Sequence, residues 1–318
     1  MVMRTLIALG GNAMTAPDGR ARPEDQIAAV GVAMEAVADL IAGGVEVVLT
    51  HGNGPQVGNL LVKNELAAHV VPPVPLDWCG AQTQGTLGFV IVSALEASLT
   101  ARGITKPVAA VVTRTLVDAH DPGFRKPTKP IGRYLPADQA AAMIAHGQTW
   151  EDRGDRGWRR VVASPEPLEV LDAPAVATLV EAGFVVVAGG GGGIPMARDA
   201  STPGPRGVEA VIDKDLSAVL LARAVRADQL VIATDVDHMF LRWGRSDASA
   251  LRRVGVEELR AHLAAGEFGG GSMAPKAEAA CRFVESGGKR AVIAALGSIR
   301  EAVLGEAGTV VEKESDSA

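Results

Sequence analysis

Aromatic residues are scarce in this 318-residue sequence, making up 3% of it with a single tyrosine. The core must therefore be built from aliphatic side chains. The chain also lacks an excess of positive charge, since 37 acidic residues stand against 31 lysines and arginines and the formal charge is −6. This balance argues against a nucleic-acid-binding protein, whose phosphate contacts need a basic surface.

Cysteines and long apolar runs are also few. The two cysteines, Cys79 and Cys281, are far apart and lack metal-ligand spacing, which indicates ordinary thiols in a reduced cytoplasmic protein. No run approaches 18 consecutive apolar residues without a charge, and the apolar N-terminal stretch is too short for a secretory signal. We therefore expect a cytoplasmic location and no membrane contact.

Two common nucleotide-binding signatures are missing or incomplete. The sequence contains no GxxxxGK[ST], the motif typical of P-loop NTPases, and this class of protein is therefore excluded on its motif. The spacing of Gly52, Gly54 and Gly58 resembles a variant dinucleotide fingerprint, but no acidic residue ends a following strand to hold a ribose. A dehydrogenase stays open as an alternative that the sequence supports poorly.

Short apolar segments alternate with segments of helical period. The segments predict strands at 4–9, 45–49, 108–112, 184–188, 229–233 and 290–294. They are apolar throughout rather than alternating, as in strands buried on both faces of a parallel sheet. Apolar residues from Ile27 to Ile41 recur at steps of three and four, which predicts a first helix. Further helices are predicted at 54–68, 81–101, 172–182, 213–226, 256–265 and 273–286. This alternation predicts an α/β fold with an open, mainly parallel sheet.

Residues 118–160 interrupt the alternation. They are rich in proline and charge and contain the only tyrosine, yet residues 138–146 have helical character. We interpret them as an inserted subdomain or lid between strands, with a disordered loop as the alternative.

Three predicted strands run into glycine-rich turns: LGGNA at 9–13, THGNGPQVG at 50–58 and AGGGGGIP at 188–195. Ligands of open parallel sheets bind beyond the carboxyl ends of the strands, where free amides and helix dipoles favour anions. Gly52, Asn53 and Gly54 would offer such amides. Each turn alone could simply be a tight turn, but three at one edge favour a shared phosphate site.

Lysines follow several of these turns. Lys214 stands between Asp213 and Asp215 at a predicted helix start, and Lys276 stands just inside another. Each could be an ordinary surface lysine, but cations beside a glycine-rich turn also suit phosphoryl transfer. Lys129 in PTKP could be delivered by the lid as a third cation.

Other polar residues receive simpler interpretations. Asp235, in TDVD after a predicted strand, is a candidate nucleotide or metal contact, whereas Asp237 could cap a turn. We interpret His51 and Cys79 as structural residues, because the sequence shows no partner that would activate either.

The motifs resemble one known family. GGNA, THGNGPQVGNLL, DWCGAQTQG, PTKPIG, RRVVASPEP, AGGGGGIP, GVEAVIDKDL, TDVD and GSMAPKAEAA occur in the order found in carbamate kinases of the amino-acid kinase superfamily. The similarity runs from about residue 5 to residue 311.

This resemblance implies an αβα sandwich. It would have a carbamoyl phosphate-binding lobe at 1–205, a lid at about 118–160 and a nucleotide-binding lobe at 206–318. It also implies a homodimer in arginine metabolism, with reversible phosphoryl transfer between carbamoyl phosphate and ADP giving ATP and carbamate. Mg²⁺ would come with the nucleotide, without a dedicated protein metal site.

The resemblance also assigns residues. Gly10, Gly11 and Asn12 would hold the transferred phosphoryl group, and Gly52, Asn53 and Gly54 the carbamoyl end. The catalytic residues would be Lys129, Lys214, Lys276 and Asp213. The nucleotide would be bound by Lys214, Asp235, Met273 and Lys276.

The sequence departs from the family pattern in three places. Ala274 replaces the usual glycine after SM, which would cost about 1–2 kcal/mol if its φ were positive. Phe240 and Trp243 stand where a tyrosine and a polar run are usual, and GEFGGGSM replaces an approach that usually contains proline. A kinase for another small acid or phosphate, and a catalytically silent nucleotide-binding regulator, are therefore kept as alternatives.

Overall fold

The computed structural model describes residues 2–11, 22–199, 203–268 and 272–314. In chain order, its strands are β1 (Arg4–Leu9), β2 (Glu46–His51), β3 (Val108–Ala110), β4 (Arg114–Val117), β5 (Lys129–Leu135), β6 (Trp150–Asp152), β7 (Trp158–Val162), β8 (Pro167–Val170), β9 (Val185–Val187), β10 (Ile194–Arg198), β11 (Pro205–Gly207), β12 (Gln229–Thr234), β13 (Met239–Leu241), β14 (Ser249–Leu251), β15 (Arg253–Gly255), β16 (Arg290–Ala295) and β17 (Thr309–Glu312). The α-helices are α1 (Pro23–Ala42), α2 (Gly54–Ala67), α3 (Leu76–Ala101), α4 (Pro122–Arg125), α5 (Ala137–Ala145), α6 (Ala173–Glu181), α7 (Lys214–Ala224), α8 (Val256–Ala264), α9 (Met273–Glu285) and α10 (Ile299–Leu304).

A sheet of eight strands organises the fold, in the order β15-β17-β16-β12-β1-β2-β9-β3. Every neighbouring pair in it is parallel except β16 with β17. The predicted open, mainly parallel sheet is confirmed, and all six predicted strands belong to it. Because β12 pairs with β1, one continuous sheet includes strands from both predicted lobes.

The core lies in two layers, one on each face of this sheet. In β1, Leu6 and Ala8 belong to one apolar cluster, while Ile7 and Leu9 belong to the other. Successive side chains of a strand point to opposite faces, so a strand covered on both sides must be apolar at every position. This requirement explains the unbroken apolar segments in the sequence.

The predicted helices are all present, with one boundary clearly wrong. Helix α3 begins at Leu76 rather than at residue 81. Among the described residues, α3 is the one helix long and apolar enough to cross a membrane. That criterion is weak evidence for a span, because core helices also meet it. Leu87, Ile91 and Leu95 of α3 are buried in the same cluster as α1.

The insertion at 118–160 contains regular structure rather than an irregular loop. Strands β5, β7 and β6 form an antiparallel sheet, and α5 packs on it through Leu135, Ala140 and Trp150. We refer to residues 118–162 as the lid. Its strand β5 rests on α2, where a Cβ added to Gly58 would lie 3.4 Å from the Cα of Gly132.

A second, four-stranded sheet (β11-β10-β4-β8) and the β13–β14 hairpin were not predicted. Their strands have three to five residues, too few to show a clear hydrophobic period.

Candidate active site

The three glycine-rich turns lie together at one edge of the large sheet. They follow β1, β2 and β9, which are consecutive neighbours in parallel orientation. The carboxyl ends of these strands therefore meet at the position where open α/β sheets bind ligands.

The first two turns touch each other through their backbones. A Cβ added to Gly52 would lie 2.6 Å from the nitrogen of Gly11, so no larger residue fits there without a shift of the main chain. A Cβ added to Gly11 would lie 3.3 Å from the nitrogen of Asn53 and 3.4 Å from that of Gly54. Helix α2 begins at Gly54, and the first amides of a helix have no intrahelical acceptor. The space beside Gly11 therefore faces amide donors, which suits an anion.

The first turn lies only partly within the described residues. Gly10 and Gly11 are among the described residues, and Gly10 is buried. Asn12, which was also expected to hold the phosphoryl group, lies outside the described residues.

The third turn packs against the second turn. All of residues 189–193 are buried, and a Cβ on Gly190 would lie 2.4 Å from Nε2 of His51. At Gly191, where φ is +66°, a Cβ would lie 2.1 Å from Nδ2 of Asn53. A short 3₁₀ turn and β10 follow this turn, rather than an α-helix. The glycines are needed because other side chains occupy the space around them.

The side chains of the second turn hold it in place. Asn53 donates from Nδ2 to Oγ1 of Thr83 at 2.9 Å, and Thr83 donates to the carbonyl of Gly80 in α3 at 2.7 Å. His51 is buried and donates from Nδ1 to the carbonyl of Gly52 at 2.9 Å. Burial, aided by the charge of Lys214, lowers the pKa of His51 to about 4, so its ring is neutral at pH 7. The structural interpretation of His51 is thus supported by a backbone partner that the sequence did not reveal.

Asp213 joins the lid to the body of the protein. It caps α7, accepting hydrogen bonds at Oδ1 from the amides of Asp215 (2.9 Å) and Leu216 (3.4 Å). Its Oδ2 accepts from Nζ of Lys129, the first residue of β5, at 2.7 Å. The lid therefore brings Lys129 to the start of α7.

Asp215 joins the other two lysines. Its Oδ1 accepts from Nζ of Lys214 at 2.5 Å, and its Oδ2 accepts from Nζ of Lys276 at 2.9 Å. The Lys214 and Lys276 side chains are 13% and 7% exposed, so neither is a surface lysine. Asp215 was missed as a site residue, because the sequence shows its proximity to Lys214 but not to Lys276, 61 positions away.

The electrostatics of this cluster favour an anionic ligand. Burial opposes ionisation of Asp215, but Lys214 and Lys276 outweigh it and lower the pKa to about 2. Burial lowers the pKa of Lys214, and Asp215 acts in the opposite direction. Three lysines and two aspartates leave one net positive charge. Lys214 also connects this cluster to the turns, since a Cβ on Gly52 would lie 3.2 Å from its Cδ.

The expected nucleotide residues lie at the same edge of the sheet. Asp235 directly follows β12, the strand beside β1, and is exposed. Met273 begins α9, three positions before Lys276, and is half-buried. Ala274 is helical, and the only non-glycine residues with positive φ in the described ranges are Arg226 and Arg242. The strain considered for Ala274 therefore does not arise.

Together, the parallel sheet, the amide-lined turns and the lysine cluster define a phosphate-handling α/β protein. The family model for the amino acid kinase family matches residues 3–295, and the chain belongs to this family. It is 46% identical over 317 residues to the carbamate kinase of Thermococcus kodakarensis, with 98% of this chain and 99% of that protein covered.

Two further relatives show the same relationship. A carbamate kinase-like protein of Escherichia coli, YqeA, is 41% identical over 98% of this chain and 99% of its own length. The solved structure of Giardia lamblia carbamate kinase bound to AMP-PNP superimposes with a TM-score of 0.91 at 36% identity, covering 98% of this chain and 99% of that one.

Proposed function

We infer that this protein is a carbamate kinase, which transfers a phosphoryl group reversibly between carbamoyl phosphate and ADP to give ATP and carbamate. Relatives with that name match nearly the whole chain at up to 46% identity. The observation that carries the inference is the joining of Lys214, Lys276 and Lys129 through Asp215 and Asp213 beside the amide-lined turns.

We propose that catalysis consists of positioning and charge neutralisation, without a covalent enzyme intermediate. Gly10, Gly11 and Asn12 would hold the migrating phosphoryl group, and the amides at 52–54 would hold the carbamoyl end. In-line transfer needs the two oxygens aligned while cations neutralise charge on the phosphoryl oxygens. Lys214 and Lys276 are suited to this task because Asp215 fixes both ammonium groups in a buried position.

Lys129 would act as the lid's contribution to the site. Its ammonium group is paired with Asp213 and its side chain is about one-third exposed, at 34%. A cation held at this boundary can reach the phosphates while the lid covers them. The lobe at 1–205 would thus bind carbamoyl phosphate.

The nucleotide would lie on the lobe at 206–318, against Lys214, Lys276, Asp235 and Met273. The Giardia lamblia protein bound to AMP-PNP supports an adenine nucleotide as the ligand. Phe240 and Trp243, whose ring centroids are 5.1 Å apart on the β13–β14 hairpin, could alter contacts with the base.

Mg²⁺ would accompany the nucleotide phosphates and neutralise their charge. Within the described ranges, no group of three or more histidine, cysteine, aspartate or glutamate side chains could form a cage for a metal ion. Mg²⁺ is commonly held mainly by substrate phosphates and water.

We propose a homodimer formed through the α1–α3 face. Phe89 and Trp78 on α3 are 69% and 60% exposed, and Val32 on α1 is 68% exposed. From Trp78 to Ser93, the exposed positions of α3 carry no charge. An uncharged surface with exposed aromatic side chains is typical of the centre of a protein interface. Phe89→Glu should give monomers in light scattering, and an unchanged mass would contradict this interface.

We propose a cytoplasmic location because the two cysteine thiols are free rather than joined in a disulfide. Cys79 and Cys281 are both free and buried, and burial raises the pKa of each.

The decisive experiment measures ATP formed from carbamoyl phosphate, ADP and Mg²⁺ in a coupled assay, corrected for spontaneous breakdown of the substrate. Lys276→Met should lower kcat on the order of 10²–10³-fold. Lys289→Met is a matched control, because Lys289 is 68% exposed and pairs with Asp228 at the other end of the sheet. Normal rates in Lys276→Met would refute the assigned role.

The same assay separates the alternatives. Phosphorylation by ATP of another small acid, without turnover of carbamoyl phosphate, would identify a related kinase. Nucleotide binding without turnover of any substrate would identify a silent regulator. Every charged residue assigned to the site is present, which favours an active enzyme.

A further inference from the structure

A cavity of about 820 Å³ lies between the lid and the body, apart from the candidate active site. The lid lines it with residues of β7 and of the segment between α5 and β6, and the body lines it with α2 and residues 73–76. None of the residues proposed for phosphoryl transfer lines this cavity. An apolar cluster that includes Val57 and Ile131 fills the space between α2 and the lid strands.

Arg160 on β7 is the unusual residue of this cavity. Burial lowers the pKa of its guanidinium, although Glu209 and Glu65 act in the opposite direction. In the part of the chain that the structure describes, its guanidinium donates no hydrogen bond and forms no ion pair. Arg160 is half-buried, so its five N–H donors, which have no protein acceptor, are open to water or to a ligand in the cavity.

Two carboxylates line the same cavity. Oε2 of Glu65 is buried without a hydrogen-bond donor, and its nearest cation is Arg133 at 3.6 Å. Glu209 accepts one hydrogen bond, from the amide of Leu76 at 3.3 Å. Glu209, which is exposed, therefore has acceptor capacity left for a ligand, and the unpaired Oε2 of Glu65 adds negative charge at the cavity wall.

We propose that this cavity binds a small zwitterion with one carboxylate and one ammonium group, the chemical class of the free amino acids. The carboxylate of the ligand would pair with the guanidinium of Arg160, and its ammonium group would pair with Glu65 and Glu209. A phosphate dianion would be repelled by the two carboxylates, and an apolar ligand would leave Arg160 without an acceptor. The zwitterion satisfies all three groups.

Such a ligand would connect the lid to the body, which suggests a regulatory role. Arg160 lies opposite Ile131 in the β5–β7 register, two positions from Lys129 at the start of β5. An occupant held by both sides would therefore restrict the strand pair that delivers Lys129 to Asp213. This inference goes beyond the proposed phosphoryl transfer and does not depend on it.

The test is a thermal-shift screen of the complete protein with each standard L-amino acid alone, followed by calorimetric titration of those that raise Tm. At least one should bind, because a ligand that binds only the folded state stabilises it. Arg160→Gln should weaken that binding on the order of 10- to 100-fold, the value of a charge-assisted hydrogen-bond pair. Glu65→Gln/Glu209→Gln, which leaves the lid strand unchanged, should weaken it as well.

Arg159→Gln is the matched control. Arg159 neighbours Arg160 on the same strand but lies beside Tyr134, with its guanidinium carbon 5.0 Å from the ring centroid. This variant loses the same charge and should bind normally. The proposal is overturned if no amino acid binds, if binding survives Arg160→Gln, or if saturating AMP-PNP and carbamoyl phosphate displace the ligand by competition. Should Arg160→Gln fail to fold, unchanged binding by the double glutamate variant would overturn it.

Discussion

Replacing Asp215 with asparagine should both destabilise the protein and nearly abolish its activity. Asp215 is 3% exposed and accepts hydrogen bonds from two buried ammonium groups, at 2.5 and 2.9 Å. Asparagine has almost the same shape but no charge. The variant would therefore leave Lys214 and Lys276 close together in a buried site without their shared counter-ion.

The magnitude follows from the burial and the pKa. Removing one partner of a buried ion pair typically costs about 3–5 kcal/mol. Independently, lowering the carboxyl pKa from 3.8 to about 2 corresponds to about 2.5 kcal/mol of stabilisation by the ionised form. Because the pKa of Asp215 is lower in the folded than in the unfolded protein, its ionised form stabilises the fold fully above pH 4, and this stabilisation is lost as the pH falls towards 2. We therefore expect the variant to lose about 3–5 kcal/mol of unfolding free energy at pH 7, a loss that becomes smaller below pH 4.

Urea denaturation of both proteins between pH 3 and 7, followed by circular dichroism, measures this difference. The coupled assay should show kcat reduced on the order of 10²–10³-fold. Asp213→Asn is the control for stability, because an asparagine still caps α7 and its partner Lys129 is one-third exposed. An Asp215→Asn variant within about 1 kcal/mol of the wild type, well below the value for a buried pair, would refute the counter-ion argument.

Three further predictions follow from the same site. Lys129→Met should lower kcat on the order of 10²–10³-fold with little change in Tm, and an equally large loss of Tm would indicate a structural role instead. Between pH 6.5 and 4 the unfolding free energy should fall by about 3 kcal/mol more in the wild type than in His51→Gln, because only the unfolded chain protonates His51 in that range. Equal pH dependence of the unfolding free energy in the two proteins would contradict the buried neutral ring. Gly191→Ala should cost more than about 1–2 kcal/mol in urea unfolding, because a positive φ is combined with a clash against Asn53, and a smaller loss would show that the turn adapts.

The sequence was sufficient for the elements whose pattern is local. Strand β1 has the predicted bounds, and α2 was predicted within one residue, because apolar runs and Gly54-Pro55 mark their ends clearly. The short strands β4 and β10 were missed because their pairing is set by distant segments rather than by a period of their own.

For the candidate site, the sequence indicated the glycine turns and all three lysines but not how they are connected. The bridging role of Asp215 depends on Lys276, and the packing of Gly191 depends on Asn53; both contacts join positions far apart in the chain. The cavity beside Arg160 was not anticipated either, since an arginine without a partner has no signature in sequence.

The near-contact of Gly58 with Gly132 has a mechanical consequence. The strand that starts with Lys129 bears directly on the helix whose first turn provides the amides at 53 and 54. A tilt of the lid would push on this helix and would move its amides together with the ammonium group of Lys129. With the roles proposed above for these groups, both ends of the substrate would be engaged or released together, so a half-closed enzyme would hold neither.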